Sequence, residues 1–104
     1  MKQPQIVYQL DQAITPIMEK EIIKRVEFNL SNKMVSPLKK IYVKGDDVEV
    51  TIKVVIDKVE KWYNGTFKLE YDGKELEYKR EWFEILSDLI NHAFDNFSQR
   101  VLAK

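Results

Sequence analysis

The chain has 104 residues, the usual size of one folded domain, and we expect a single α+β domain over 1–104. Hydrophobic residues make up 44% and charged residues 33% of the sequence, which is typical of globular and not of disordered proteins. Cysteine is absent, which excludes disulfides, cysteine zinc sites and thiol nucleophiles. Because the sequence shows neither a signal peptide nor an apolar run long enough to span a membrane, we expect a cytoplasmic protein with no membrane partner.

The charge of the chain is zero in total but uneven along its length. The sequence has 17 basic and 17 acidic residues, yet the stretch 20–45 carries seven cations and two acids, a net charge of +5. A local excess of cations can attract a polyanion even when the total charge is neutral. Such a stretch is equally typical of a solvated connector, and both interpretations stay open. The candidate nucleic-acid-binding residues are its lysines: Lys20, Lys24, Lys33, Lys39, Lys40 and Lys44.

The N-terminal third predicts a strand followed by a long helix. Alternating apolar residues predict a strand over Gln5–Leu10. Thr15 then offers a helix N-cap, and Pro16 suits the first helical position. Ser36-Pro37 predicts the end of the connection that follows this helix. The buried stripe of the helix recurs at spacings of four: Ile14, Met18, Ile22, Val26 and Leu30.

The middle of the chain is strand-like. Ile41 and Val43 predict a short strand that ends in a turn at 44–47. The stretch 48–56 alternates apolar even-numbered residues with mostly polar odd-numbered ones, and it is the clearest strand in the sequence. The parity of the apolar residues changes beyond Asp57-Lys58, which predicts a bulge or a strand break there.

Two dipeptides, Asn64-Gly65 and Asp72-Gly73, predict hairpin turns, because both residues of a type I′ turn need a positive φ. The strands around them carry an aromatic row that we interpret as core under a helix, although such rows also stack single-stranded bases. Trp62 and Tyr63 flank the first predicted tip and point to opposite faces, so they are the candidate partner-contact residues. The aromatic residues around the meander are Trp62, Tyr63, Phe67, Tyr71 and Tyr78.

A strong amphipathic pattern predicts a last helix from Arg80 to the end of the sequence, with Asp88 and Asp95 on its polar side. Together the elements predict an α+β fold, in which an antiparallel sheet of four to five strands carries two amphipathic helices packed on one face. The apolar stripe of the last helix comprises Trp82, Leu86, Leu89, Ile90, Ala93, Phe97 and Val101.

The sequence lacks a catalytic or metal-binding constellation, so we expect neither an enzyme nor a cofactor or metal. His92 is the only histidine, and Asp88 lies four residues before it. The Asp46-Asp47 pair lacks the further acids of a calcium loop. The three glycines are isolated, which does not fit a phosphate-binding loop.

The order strand, Thr-Pro helix, meander and amphipathic helix resembles the ribosome hibernation-promoting factors, also called the sigma-54 modulation family. In that β-α-β-β-β-α domain the first helix begins with an Ile-Thr-Pro signature, which the sequence over 13–17 matches. The family's last helix is led by aromatic residues, and the sequence over 82–90 is similar to it. The resemblance covers most of the chain. The region between the two helices is expected to hold an extra hairpin relative to the family.

The resemblance implies a non-enzymatic protein that binds the RNA channel of the small ribosomal subunit through basic residues on both helices. Lys20 and Lys24 agree with this implication. Asp88 and Asp95, however, lie where the last helix would carry cations. The double-stranded-RNA-binding domain has a similar α-β-β-β-α core, and the same charge objection applies to it.

Two functional hypotheses follow. The first is a binding domain for ribosomal or other RNA that uses the lysine-rich first helix and the connector after it. The alternative is a protein–protein interaction module, either a homodimer or an accessory protein of a phage or mobile element, that uses the sheet or the C-terminal helix. The alternative rests on the neutral total charge, the acidic meander and a last helix whose apolar stripe looks wider than one sheet covers.

Overall fold

The computed structural model describes residues 3–43, 45 and 47–103. In this part of the chain four strands and three helices form an α+β fold, as predicted. The predicted turn at 44–47 falls partly outside the described residues. The elements are β1 Gln5–Leu10, α1 Pro16–Ser31, α2 Val35–Tyr42, β2 Val50–Val59, β3 Trp62–Tyr71, β4 Lys74–Phe83 and α3 Leu86–Leu102.

The strands lie in the order β1-β2-β3-β4. β2, β3 and β4 form an antiparallel meander. β1 instead pairs with β2 in parallel, with Gln5 opposite Thr51 and Leu10 opposite Ile56. The sheet is therefore mixed, although mostly antiparallel. A parallel pair needs a long crossover connection, and here that connection consists of α1 and α2.

The helices cover one face of the sheet. Side chains alternate along a strand, so even-numbered residues of β2 such as Ile52 and Val54 face the helices and are fully buried. Phe67 and Leu69 of β3 lie opposite them and are also fully buried. α3 fills the centre of the helical layer, and its stripe is buried throughout: Leu86, Leu89, Ile90, Ala93, Phe94, Phe97 and Val101.

That stripe is divided among several neighbours, because α3 packs on β3 and β4 and also on α1 and α2. Its exposed large apolar residue is Leu102, at the C-terminal end, with Ile85 just before its first turn. The stripe is thus wider than the sheet alone covers, as expected, but α1 and α2 cover the remainder inside one copy of the chain.

α1 begins as predicted. The N–H of Met18 donates to Thr15 Oγ1 at 3.3 Å, and Pro16 occupies the first helical position. Ile22 and Val26 of the predicted stripe are fully buried.

The segment after α1 is a helix and not the predicted connection and strand. α2 spans Val35–Tyr42, and Pro37 lies in its first turn, where a missing N–H costs no helical hydrogen bond. Ile41 was assigned to a strand because it alternates with Val43. It belongs instead to a helical pattern, since Met34, Leu38 and Ile41 are buried whereas Val43 is 80% exposed. The region between α1 and α3 holds α2 and the three strands β2, β3 and β4, so the expected extra hairpin is wrong.

One of the two predicted hairpin turns is correct. Asp72 and Gly73 have φ values of 50° and 73° and join β3 to β4. The Asn64-Gly65 prediction is wrong, because both residues lie inside β3 and the turn before it is at 60–61, where Glu60 has a φ of 57°. Gly65 is required by packing: a Cβ there would lie 2.8 Å from Phe67 Cε1 and 3.0 Å from Leu89 Cδ2.

The predicted irregularity near Asp57-Lys58 is also absent, since the pairing of β2 with β3 runs without a break to Val59 opposite Trp62. The bulge lies in β4. Tyr63 pairs with Phe83 and Gly65 with Arg80, so two residues of β4 oppose the single residue between them in β3.

The last helix begins later than predicted. Arg80–Phe83 belongs to β4, because pairing with the ten-residue β3 extends the strand, and α3 starts at Leu86. Trp82 is consequently not part of the buried stripe but is 59% exposed. Its φ is 58°, and its N–H donates to Asn64 Oδ1 at 2.9 Å, which holds the bulge in place. Within the described ranges no helix is long and apolar enough to cross a membrane.

Candidate nucleic-acid interface

Lys20 and Lys24 lie on the solvent-exposed side of α1. Their spacing of four residues places them one turn apart on one helix face. The positions three and four residues from Lys20 hold proline, isoleucine, isoleucine and lysine, so the helix offers it no acidic partner. In the part of the chain that the structure describes, no hydrogen bond or ion pair engages either lysine.

Lys33, unlike Lys20 and Lys24, has partners within the chain. Its Nζ lies 2.8 Å from Asp95 Oδ1 and 3.5 Å from the carbonyl oxygen of Asn91, both on α3. Beside it, the fully buried Asn29 donates from Nδ2 to Asn91 Oδ1 at 2.9 Å. These contacts fasten the C-terminal half of α1 to the middle of α3. Asp95, which the sequence presents as an obstacle to an anionic ligand, is thus neutralised by a lysine.

α2 carries two of the predicted lysines, one exposed to solvent and one bonded to α3. Lys39 is exposed, and among the described residues it has no ionic or hydrogen-bonded partner. Lys40 donates from Nζ to the carbonyl oxygens of Val101 at 2.9 Å and Leu102 at 3.5 Å. A cation at this position stabilises the negative end of the α3 dipole. Lys44, the last of the six predicted lysines, lies outside the described residues.

The lysines follow the length of α3. Lys24 lines a groove with Ser87, Lys33 pairs with Asp95, and Lys40 reaches Val101. Fourteen residues of helix separate Ser87 from Val101, which is about 21 Å at 1.5 Å per residue. The fold therefore brings Lys24, Lys33 and Lys40 to one layer of the molecule and spaces them along α3, without gathering them into one cluster.

The groove between α1 and α3 contains residues that the sequence analysis did not single out. It has a volume of about 430 Å³ and is lined by Glu21, Lys24, Arg25, Phe28, Leu86, Ser87 and Ile90. Phe28 is 52% exposed, and the guanidinium carbon of Arg25 lies 5.3 Å from its ring centroid. A signal was available, since Phe28 falls outside the buried stripe of α1 and follows Arg25 by three residues.

The predicted contact residues Trp62 and Tyr63 are both half-buried. They point to opposite faces of the sheet, as expected from their adjacent places in β3. Lys61 Nζ lies 5.1 Å from the Trp62 ring centroid. The more exposed tryptophan is Trp82, in the bulge of β4.

The acids of the meander lie on the open face of the sheet, away from the helices. Glu70 pairs with Lys53 at 3.1 Å, and Lys68 lies 3.9 Å from Glu75 and 3.8 Å from Glu77. They consequently do not line the exposed face of α1. Among residues 3–43, 45 and 47–103, no group of three or more acidic or histidine side chains could hold a metal ion.

No protein-family model matches the chain, and no curated protein matches it in sequence. Solved structures do match its fold. The N-terminal domain of protein Y from Thermus thermophilus superposes with a TM-score of 0.60 at 17% identity, covering 93% of this chain and 94% of that one.

A ribosomal subunit interface protein from Coxiella burnetii superposes with a TM-score of 0.63 at 9% identity, covering 95% of this chain and 94% of that one. At these identities the likeness concerns the fold. The resemblance to the ribosome hibernation-promoting factors is therefore confirmed at the level of the fold, over nearly the whole chain.

Proposed function

We propose that this chain is a non-enzymatic, ribosome-associated binding domain that contacts phosphates of ribosomal RNA through α1. Two structural neighbours support the ribosomal association: a domain of protein Y and a protein named for the ribosomal subunit interface. The observation that carries the RNA contact is the pair Lys20 and Lys24, which are exposed on one face of α1 without a partner in the described chain. Fold alone does not establish function, so the proposal rests on this pair.

Unpartnered lysines suit a phosphate ligand for a physical reason. A lysine that has no internal ion pair exchanges only mobile counterions when it meets a phosphate, and release of condensed counterions from the RNA favours binding. A lysine that is already paired has to lose its partner first. We therefore place the main contacts at Lys20 and Lys24, with Lys39 of α2 as a further contact, and Lys44 stays a contact predicted from the sequence alone. Lys33 and Lys40 serve mainly to hold α3.

The acids of α3 shape this arrangement. Asp95 is neutralised by Lys33, whereas Asp88 is exposed in the first turn of α3. An RNA strand that follows the face of Lys20 and Lys24 meets these two cations, with the exposed Glu21 and Glu27 near Lys24 on the same helix. A strand that follows the exposed side of α3 meets Asp88. The proposed interface is accordingly centred on α1, unlike the two-helix interface that the family resemblance implies.

Co-sedimentation with isolated small ribosomal subunits tests the proposal. We expect the wild-type chain to sediment with the subunits at low salt and to be released as salt rises. The double variant Lys20→Glu/Lys24→Glu should lose at least about tenfold in affinity, because two attractions to phosphate become repulsions.

The matched control is Lys74→Glu/Lys79→Glu, which makes the same change of charge at two exposed lysines of β4. This control should bind nearly as well as wild type, because charges farther away than about 8 Å are screened at physiological salt. Absence of salt-sensitive sedimentation, or equal losses in the two double variants, contradicts the proposal.

A further inference from the structure

The groove between α1 and α3 combines an aromatic face with cations. Phe28 exposes about half of its surface, the Arg25 guanidinium lies 5.3 Å from its ring centroid, and Lys24 stands on the same wall. Leu86 and Ile90 contribute buried apolar surface from α3, and Ser87 adds a hydroxyl. The groove thus combines an exposed aromatic ring with charged and polar groups over a floor of buried apolar side chains, and such mixed concave surfaces occur at small-ligand sites.

The exposure of Phe28 is not a by-product of core packing. The core-facing side of α1 is formed by Ile22 and Val26, which are fully buried. Phe28 follows Val26 by two residues, so it lies on another side of the helix. Its ring is not part of the main core, and the described contact of its face is with the Arg25 guanidinium.

Unpaired nucleobases are the ligands that this set of groups suits. Bases in single-stranded RNA stack on aromatic rings and on the plane of an arginine guanidinium, and each stacked base contributes about 1–3 kcal/mol. Lys24 can then neutralise the phosphate of the same nucleotide. The Glu21 carboxylate and the Ser87 hydroxyl can accept hydrogen bonds from the amino groups of a base edge.

We infer that the groove between α1 and α3 is a binding site for an unpaired nucleobase of RNA, with Phe28 and Arg25 as its stacking surface. The inference rests on the proposed function and adds to it the form of RNA that is recognised. In a duplex the base faces are occupied by their neighbours, so only an unstacked or single-stranded nucleotide can enter the groove.

The test compares the same RNA strands unpaired and paired. Affinities are measured by fluorescence anisotropy for twenty-nucleotide adenosine and uridine homopolymers, singly and as the duplex that they form together. The key variant is Phe28→Leu, which keeps an apolar side chain but removes the aromatic face. Trp82→Leu is the matched control, since Trp82 is 59% exposed but does not line the groove.

We expect wild type to prefer single strands. Phe28→Leu should weaken single-strand binding by at least about fivefold, the low end of the loss for one stacked base. It should leave duplex binding and the salt dependence unchanged, because no charge is altered. Trp82→Leu should bind every probe as wild type does.

Three results would overturn the inference. If Phe28→Leu loses no more than Trp82→Leu while Lys20→Glu/Lys24→Glu still abolishes salt-sensitive binding, the base site is wrong and the proposed function stands. If Phe28→Leu loses affinity for ribosomal subunits but not for the homopolymers, the groove binds a ribosomal protein instead. If wild type binds neither RNA nor subunits, the inference fails together with the proposed function.

Discussion

The helical layer and the open face of the sheet both carry lysines and acids, but the lysines of the two regions differ in whether they form ion pairs. On the sheet face Lys53 pairs with Glu70, and Lys68 lies between two glutamates of β4. On the outer face of α1, Lys20 and Lys24 have no such partner in the described chain. A total charge of zero therefore conceals one face on which lysines pair with glutamates across strands, and one on which two exposed lysines lie near exposed glutamates without pairing with them in the described chain.

The difference has a geometric cause. Adjacent strands bring side chains to within about 5 Å of each other, so lysines and glutamates on one face of a meander meet across strands. On a helix a charge meets only the residues three and four positions away. The neighbours of Lys20 at those positions include no acid, and Glu21 and Glu27, each three residues from Lys24, form no ion pair with it in the described chain. The usefulness of a lysine for binding thus depends on its element and spacing as much as on the number of lysines.

The largest effect is expected from substitutions at two adjacent residues of β3, Gly65 on the covered face of the sheet and Thr66 on its open face. A Cβ at Gly65 would lie 2.8 Å from Phe67 and 3.0 Å from Leu89. Gly65→Ala should therefore lower the free energy of unfolding by about 1–3 kcal/mol, as overpacking does. The next residue, Thr66, points to the open face, and Thr66→Ala should change the free energy of unfolding by less than about 1 kcal/mol.

Urea titration of both variants measures the two values. An equal, small effect for Gly65→Ala and Thr66→Ala would mean that α3 does not approach β3 as closely as the structure shows.

A smaller effect should separate the two kinds of lysine in the helical layer. Lys33→Ala removes a partly exposed ion pair with Asp95 and a hydrogen bond to α3, and it should cost up to about 1 kcal/mol of stability. Lys24→Ala removes a side chain without a partner and should fall within about 0.5 kcal/mol of wild type. The ranking for RNA affinity should be the reverse, with the larger loss in Lys24→Ala. If stability and affinity change in parallel in both variants, the division into structural and binding lysines is wrong.

The smallest effect concerns a phenol on the covered face and appears only at high pH. Burial, and to a lesser extent the charge of Glu27, raises the pKa of Tyr8 from 10.0 to about 12. The unfolded chain loses this proton above pH 10 while the folded chain keeps it. The contribution of Tyr8 to stability is therefore fully present below pH 10 and is lost as the pH rises toward 12.

Tyr8→Phe should show a shallower decline of unfolding free energy across this window, measured by urea titration at several pH values. Identical declines in the variant and in wild type would place the Tyr8 hydroxyl in water.

Much of the fold could be predicted from periodicity alone. β1, the start of α1, the Asp72-Gly73 turn and the stripe from Leu86 onward agree with the sequence patterns, because alternation, helical spacing, a cap or turn residues mark each of them locally. The errors arise where a contact between residues distant in sequence determines the local structure. Gly65 is small because α3 crosses it, and Trp82 belongs to a strand because β3 pairs that far.

The candidate site could be predicted only in part for the same reason. The sequence identifies lysines by type, but the partners that distinguish Lys33 and Lys40 from Lys20 and Lys24 lie on α3, about 60 residues away. The groove that exposes Phe28 also exists only after α1 packs on α3. Residue type therefore located the charged layer, and tertiary contacts determined which of its cations are available.

The central claim is that the cations of α1 are available to RNA phosphates, and the salt dependence of binding tests it most directly. The measurement is the slope of log affinity against log salt concentration for the uridine homopolymer, in wild type, Lys20→Gln/Lys24→Gln and Lys74→Gln/Lys79→Gln. If both α1 lysines contact phosphates, the first double variant should lose about 1.4 from the magnitude of the slope, while the second keeps the wild-type value. An unchanged slope in Lys20→Gln/Lys24→Gln would contradict the account.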